Sequence, residues 1–217
     1  MAVLDIHEHR MRRSAEMARF QLEVQMDKRF LSPLDVIRVL NREKISFVLA
    51  GAYGLSGWRT QARFTEDVDI VVALKHVKKA TRALVKEFPF LEPDDQEVVV
   101  RLCDKDTEDV LVDLMKPTQP LLRAIFKHTK TVELEKQTYR IPSCEMALAL
   151  KFAPMISLAR VDKKKLIDAH DFMDIVEKNT ELDDEVLRSL GDLVYNGGGK
   201  EIVEMVRKVR AGEKLQL

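Results

Sequence analysis

The chain has 217 residues, 46% of them hydrophobic, and its 36 Lys plus Arg are balanced by 36 Asp plus Glu. That composition can bury an ordinary core, and the zero net charge argues against a broad nucleic-acid-coating surface while leaving room for a local contact. The longest nearly uncharged run, residues 146–159, falls short of the about 20 residues a helix needs to cross a bilayer. Asp5, Glu8, Arg10, Arg12 and Arg13 break up any signal-peptide core near the start, and two cysteines, Cys103 and Cys144, do not make a disulfide framework. The expectation is a soluble cytoplasmic protein with free thiols and no membrane association.

Met11, Ala15, Ala18, Leu22, Met26 and Phe30 recur every three or four residues, predicting an N-terminal helix within 1–31. Its apolar face packs on the main domain in the simpler reading and forms a dimer contact in the sharper one. Ser32-Pro33 reads as an N-cap with Pro at the first helical position, opening a short helix that carries Val36, Ile37 and Leu40. Residues 45–50 and 67–73 read as buried strands, the first ending at Gly51. Val77, Ala80, Leu84 and Phe88 mark one helical face over 75–88, with Lys75, Lys78, Lys79, Arg82 and Lys86 on another. Strands at 97–103 and 109–115 pair across the charged turn 104–107. Residues 131–134 and 138–141 form a hairpin around Glu135-Lys136. From Ser143 the pattern is helical, interrupted by Pro154 and by the glycines at 197–199, which read as a helix stop after Asn196. The predicted fold class is α/β (α+β): a mixed β-sheet flanked by helices over 32–142, with a helical C-terminal region over 143–217.

The most informative stretch is 47–72. Asp67 and Asp69 are one residue apart at the start of an apolar strand, so their side chains share a face while Val68 and Ile70 point the other way. Alone, the pair also fits the solvated start of a surface strand. Two carboxylates that close repel unless a cation lies between them, and Mg²⁺ or Mn²⁺ suits an all-oxygen site that also takes phosphate oxygens. Gly51, at the end of the preceding strand, would let a phosphate approach the backbone, although a plain strand-to-helix turn also explains it. A third carboxylate, Asp113, interrupts the apolar run 110–115; an unpaired buried carboxylate is costly, so it calls for a cation or donors. Lys151 is the one charged residue within 146–159, on a helix apolar nearly all round. It either snorkels to the domain edge or meets an anion.

A strand, then Gly51-Ala52, then R-x-T-x-D-x-D (Arg63, Thr65, Asp67, Asp69), then a later strand aspartate, resembles the DNA polymerase β-like nucleotidyltransferase superfamily. The helix bearing Lys151, the basic segment 160–165 and Asp168-x-x-Asp171 are similar to its minimal, abortive-infection (AbiEii-like) branch. The resemblance covers roughly 47–176. Ala52 departs from the family's Gly or Ser, removing a possible hydroxyl contact to phosphate, and Ile167-Asp168 stands where the family has Lys-Asp. The resemblance implies transfer of a nucleoside monophosphate from an NTP, such as ATP, with pyrophosphate release. It implies Asp67, Asp69 and Asp113 as catalytic metal ligands, with Gly51, Ala52, Arg63, Thr65 and Lys151 binding the nucleotide. The acceptor it implies is a tRNA 3′ end, a protein hydroxyl or a small molecule, and toxin-like members would have an antitoxin protein as partner. The alternative is a non-catalytic nucleotide-binding or protein-interaction module on the same fold.

Two further features are set aside. His7 and His9 have no clustered partner ligands for zinc, and Gly198-Gly199-Lys200 lacks the first glycine of a phosphate loop, with Glu201 after the lysine.

Overall fold

The computed structural model describes residues 3–24, 28–63 and 65–215. Nine helices and seven strands follow one another among the described residues: α1 (Val3–Val24), α2 (Pro33–Arg42), β1 (Phe47–Leu49), α3 (Gly51–Gly54), β2 (Val68–Val72), α4 (Val77–Glu87), β3 (Leu91–Asp95), β4 (Val99–Asp104) and β5 (Val110–Met115). There follow α5 (Pro120–Ala124), β6 (Thr129–Leu134), β7 (Gln137–Pro142), α6 (Cys144–Ile156), α7 (Asp162–Lys178), α8 (Asp184–Asp192) and α9 (Gly198–Arg210). The expected class holds: β1-β2-β5-β4-β3 form a five-stranded mixed sheet flanked by helices, and the C-terminal region is helical. Among the described residues only the β2–β5 pair is parallel, joined by the long excursion through α4, β3 and β4.

The period-two pattern of the strands divides the core. Phe47, Leu49, Val68, Ile70, Val72, Val112 and Leu114 face α2 and α4 on one side of the sheet. Val48, Ala50 and Val71 face the other side, where α6, α7, α8 and α9 pack with Phe152, Phe172, Leu187 and Val206. Asp69 and Asp113 alternate with the first set, so both point toward the side of the C-terminal helices.

Helix α1 lies on the main body through buried Met11, Ala18 and Leu22, as the simpler reading has it. Buried His7 adds polar anchors, with Nδ1 2.9 Å from Ser56 Oγ and Nε2 3.0 Å from Tyr139 Oη. Met26 lies outside the described residues, and Phe30 lies after the helix in the segment 28–32, which has no regular secondary structure. The hairpin β6–β7 turns at Glu135 and Lys136, both with positive φ (49° and 63°), the backbone of a two-residue turn that matches strand twist.

Three features differ from the expected pattern. Strand β3 has a single buried apolar residue, Leu91, and pairs at the sheet edge despite Pro93, because an edge strand tolerates proline. Pro154 sits inside α6 without ending it. The glycines at 197–199 do not stop a helix after Asn196: α8 ends at Asp192, and Gly197 (φ 98°) caps the start of α9. Cys103 and Cys144 are free, and no helix of the described residues is long and apolar enough to cross a membrane.

Candidate functional site

Register assembles the site. Asp69 on β2 is directly paired with Asp113 on β5, and Asp113 with Arg101 on β4, so three charged side chains stand in a row on one face. Asp67, one residue before β2, shares Asp69's face. Oxygen atoms of Asp67, Asp69 and Asp113 lie within 4.8 Å of one another. Residues 44 positions apart in the chain thus meet because two strands run parallel in that register.

The cluster is held at high electrostatic cost. Burial, then the charges of Asp67 and Asp113, push the Asp69 carboxyl up to about 7, against a weaker downward pull from Lys151 and Arg63. Burial and then Asp67 also raise Asp113, opposed by Arg101 and Lys164. Asp113 Oδ1 is buried without a hydrogen-bond partner, and its nearest cation, Arg101 Nε, is 3.9 Å away. Thr65 Oγ1 donates to Asp67 Oδ1 at 2.5 Å and fixes that carboxylate's rotamer. Three oxygen donors, one orphaned, with mutual repulsion, fit a hard divalent cation, and these residues could hold one.

Gly51 is required by close approach. Its φ is 54°, and a Cβ there would collide with Asp69 Oδ2 and lie 2.5 Å from Asp69 Cγ. The carboxylate therefore occupies the space that glycine leaves at the start of α3. Ala52, by contrast, is buried and does not line the cavity beside Gly51, so the lost hydroxyl at that position faces protein.

This cavity, of about 690 Å³, is lined by Gly51, Arg63, Thr65, the three aspartates, Arg101, Lys151, Arg160, Lys164 and Asp168, among others. The structure thus brings to this cavity each expected catalytic, metal-binding and nucleotide-binding residue except Ala52. Lys151 does not snorkel: it is buried, and its Nζ donates to Asp168 Oδ1 at 2.9 Å and reaches Asp171 Oδ2 at 2.8 Å. Arg160 also pairs with Asp168 at 2.8 Å.

Sequence reasoning missed Arg59, which is buried and pairs with Asp171 at 3.2 Å and with Asp174 at 3.6 Å. Arg63 reaches Asp171 at 3.1 Å. Burial pushes Asp171 up, but Lys151, Arg59 and Arg63 outweigh it and hold the carboxyl below its ordinary value. The same helix grips the loop before Arg63: Lys178 Nζ donates to the carbonyls of Gly57 (2.6 Å) and Arg59 (2.8 Å), Asn179 to Trp58, and Thr60 donates to Asp174. A signal existed in the i, i+3, i+6 spacing of Asp168, Asp171 and Asp174, all buried in α7. Nothing in the sequence says which cations meet them.

No protein-family model and no curated protein matches the chain. Among solved structures, an antigenic nucleotidyltransferase-like protein from Paracoccidioides brasiliensis is 18% identical, with 83% of this chain and 91% of that one covered and a TM-score of 0.49. JHP933 from Helicobacter pylori is 16% identical, with 83% and 90% covered and a TM-score of 0.49. The lincosamide antibiotic adenylyltransferase LnuA, solved with lincomycin, is 12% identical, with 65% and 94% covered and a TM-score of 0.45.

Proposed function

We propose that the chain is a metal-dependent nucleotidyltransferase that moves a nucleoside monophosphate from an NTP to an acceptor and releases pyrophosphate. The observation that carries the reading is the convergence of Asp67, Asp69 and Asp113, with an unpartnered carboxylate oxygen, in a cavity lined by five cationic side chains. Ionised carboxylates forced together are stabilised by a cation between them, and lining cations match a polyphosphate. The divalent ion, Mg²⁺ or Mn²⁺ in this proposal, would draw charge from the phosphate oxygens.

The rest falls to the chain's own side chains. Thr65 orients Asp67, Gly51 makes room for the Asp69 carboxylate beside the triphosphate, and Arg63 with Lys151, alongside their pairs with Asp171 and Asp168, supplies positive charge on the nucleotide side. Asp113, whose carboxyl is raised by burial, takes the proton of the acceptor hydroxyl. That oxygen bonds to the α-phosphorus as the bond to the bridging oxygen breaks, and pyrophosphate leaves. The core 32–142 then bears the three carboxylates, and the region 143–217 closes the cavity with Lys151, Arg160 and Lys164. The test is transfer of label from α-³²P NTPs to a panel of tRNA, protein and small-molecule acceptors, with pyrophosphate measured in parallel. Wild type and Asp109→Ala should turn over, and the double variant Asp67→Asn with Asp69→Asn should not. Full transfer by the double variant would sink the assignment. A toxin role would add growth arrest on expression, relieved by an antitoxin encoded beside it.

A further inference from the structure

Sheet order separates the two ends of the cavity. Gly51 and Asp69 stand on the β1–β2 side, Asp113 on β5 comes next, and Arg101 on β4 lies one strand further out, about 5 Å on by strand spacing. If phosphates of the NTP take the Gly51 side, the acceptor must approach Asp113 from the Arg101 side.

Arg101 is held within the protein only by one long ion pair among the described residues. Its guanidinium makes no hydrogen bond to another described residue, stands 3.9 Å from Asp113 Oδ1, beyond hydrogen-bonding distance, and its side chain is 44% exposed. Asp94, its register neighbour on β3, accepts from Gln96 instead. Lys164, exposed in the first turn of α7, lines the same cavity and has no ion-pair partner among the described residues. The remaining lining carboxylate outside the triad, Asp168, is already neutralised by Lys151 and Arg160. Nothing in the cavity beyond the triad would attract a polycation, whereas a planar fork and an ammonium flank the group that receives the acceptor's proton.

We propose that Arg101 and Lys164 form a phosphate subsite for the acceptor, so that the acceptor is an anion whose reacting hydroxyl is flanked by a phosphate ester. This rests on the nucleotidyl-transfer reading above. The shared chemistry could come from a polynucleotide end or from a small phosphorylated molecule.

The test is calorimetric titration of wild-type protein, presaturated with Mg²⁺ and a non-hydrolysable NTP, with a short oligoribonucleotide, a nucleoside 5′-monophosphate and kanamycin. A phosphate-bearing probe should bind and kanamycin should not. Arg101→Glu and Lys164→Glu should each weaken that binding by about tenfold or more, whereas Arg42→Glu, on the far α2 surface, should change it by less than about twofold. Binding of the oligoribonucleotide alone identifies a polymer end, and binding of the monophosphate identifies a small acceptor. Arg101→Gln is run alongside, because it loses the charge without adding one and keeps the result readable if Arg101→Glu misfolds. No binding of either phosphate probe, preference for kanamycin, or unchanged affinity in the Arg101 variants would overturn the subsite. The melting shift produced in wild type by the NTP analogue is read first: its absence overturns nucleotidyl transfer, while the probe titrations still decide the subsite.

Discussion

Replacing Asp69 by Asn should make the metal-free protein more stable, by an amount that depends on pH. In the fold this carboxyl is pushed up to about 7 from an ordinary 3.8, chiefly by burial and then by Asp67 and Asp113. The unfolded chain therefore gives up the proton first, and the contribution of Asp69 to native stability falls as pH rises from about 4 to about 7. A shift of about three units corresponds to a ceiling of about 4 kcal/mol, and relaxation of the site around the charge brings the expected effect to about 2 kcal/mol. Asn keeps the shape beside Gly51 and cannot ionise, so the gain should be near zero at pH 4, grow through pH 5 and 6, and level off above pH 7. Urea denaturation of both proteins across that range, with EDTA present, measures it. Magnesium at 100 times its dissociation constant should then add about 2.7 kcal/mol to wild type and little to the variant. A difference that does not vary with pH, or a less stable variant at pH 8, would refute the reasoning that the three carboxylates repel.

Gly51→Ala should cost more than about 1 kcal/mol from its positive φ alone and should displace Asp69, so that calorimetry shows divalent-metal binding lost even where the protein folds. Lys151→Met should destabilise by about 3 kcal/mol in urea, because it strips a cation from buried Asp168 and Asp171; a smaller loss would mean that Arg59, Arg63 and Arg160 suffice for them. Burial holds the His7 imidazole down at about 4, so its contribution is complete above pH 6.5 and disappears as pH falls toward 4. That contribution taken alone falls by roughly 3 kcal/mol over the window, against the opposite slope from Asp69, so His7→Gln should make stability rise relative to wild type as pH falls.

Much of the fold was legible because its strands and helices repeat with a clean period. The alternation put Asp67 and Asp69 on the face opposite Val68 and Ile70, Asp113 stood out as one acid within the apolar run 110–115, and the Glu135-Lys136 turn followed from the flanking runs. What the sequence could not supply was register: nothing local sets Asp113 against Asp69, or Arg101 against Asp113, because pairing across β2, β5 and β4 depends on packing distant in the chain. Strand β3 was hidden because Glu92, Pro93, Asp94 and Asp95 read as loop, and only its edge position allows them. Lys151 was visible as an anomaly on an apolar helix, but its partners lie 17 and 20 residues away on α7, and snorkelling would have left the same trace. Arg59 left none, since an arginine in a polar loop looks solvated until α7 closes over it.

The most direct test of the account is a crystal structure with Mn²⁺ and a non-hydrolysable NTP, read by manganese anomalous scattering. A manganese peak is expected within bonding distance of Asp67, Asp69 and Asp113, with the triphosphate beside Gly51 and Arg63 and the α-phosphorus facing Asp113. A metal held by Asp67 and Asp69 with Asp113 turned away, or a nucleotide bound elsewhere on the chain, would contradict it.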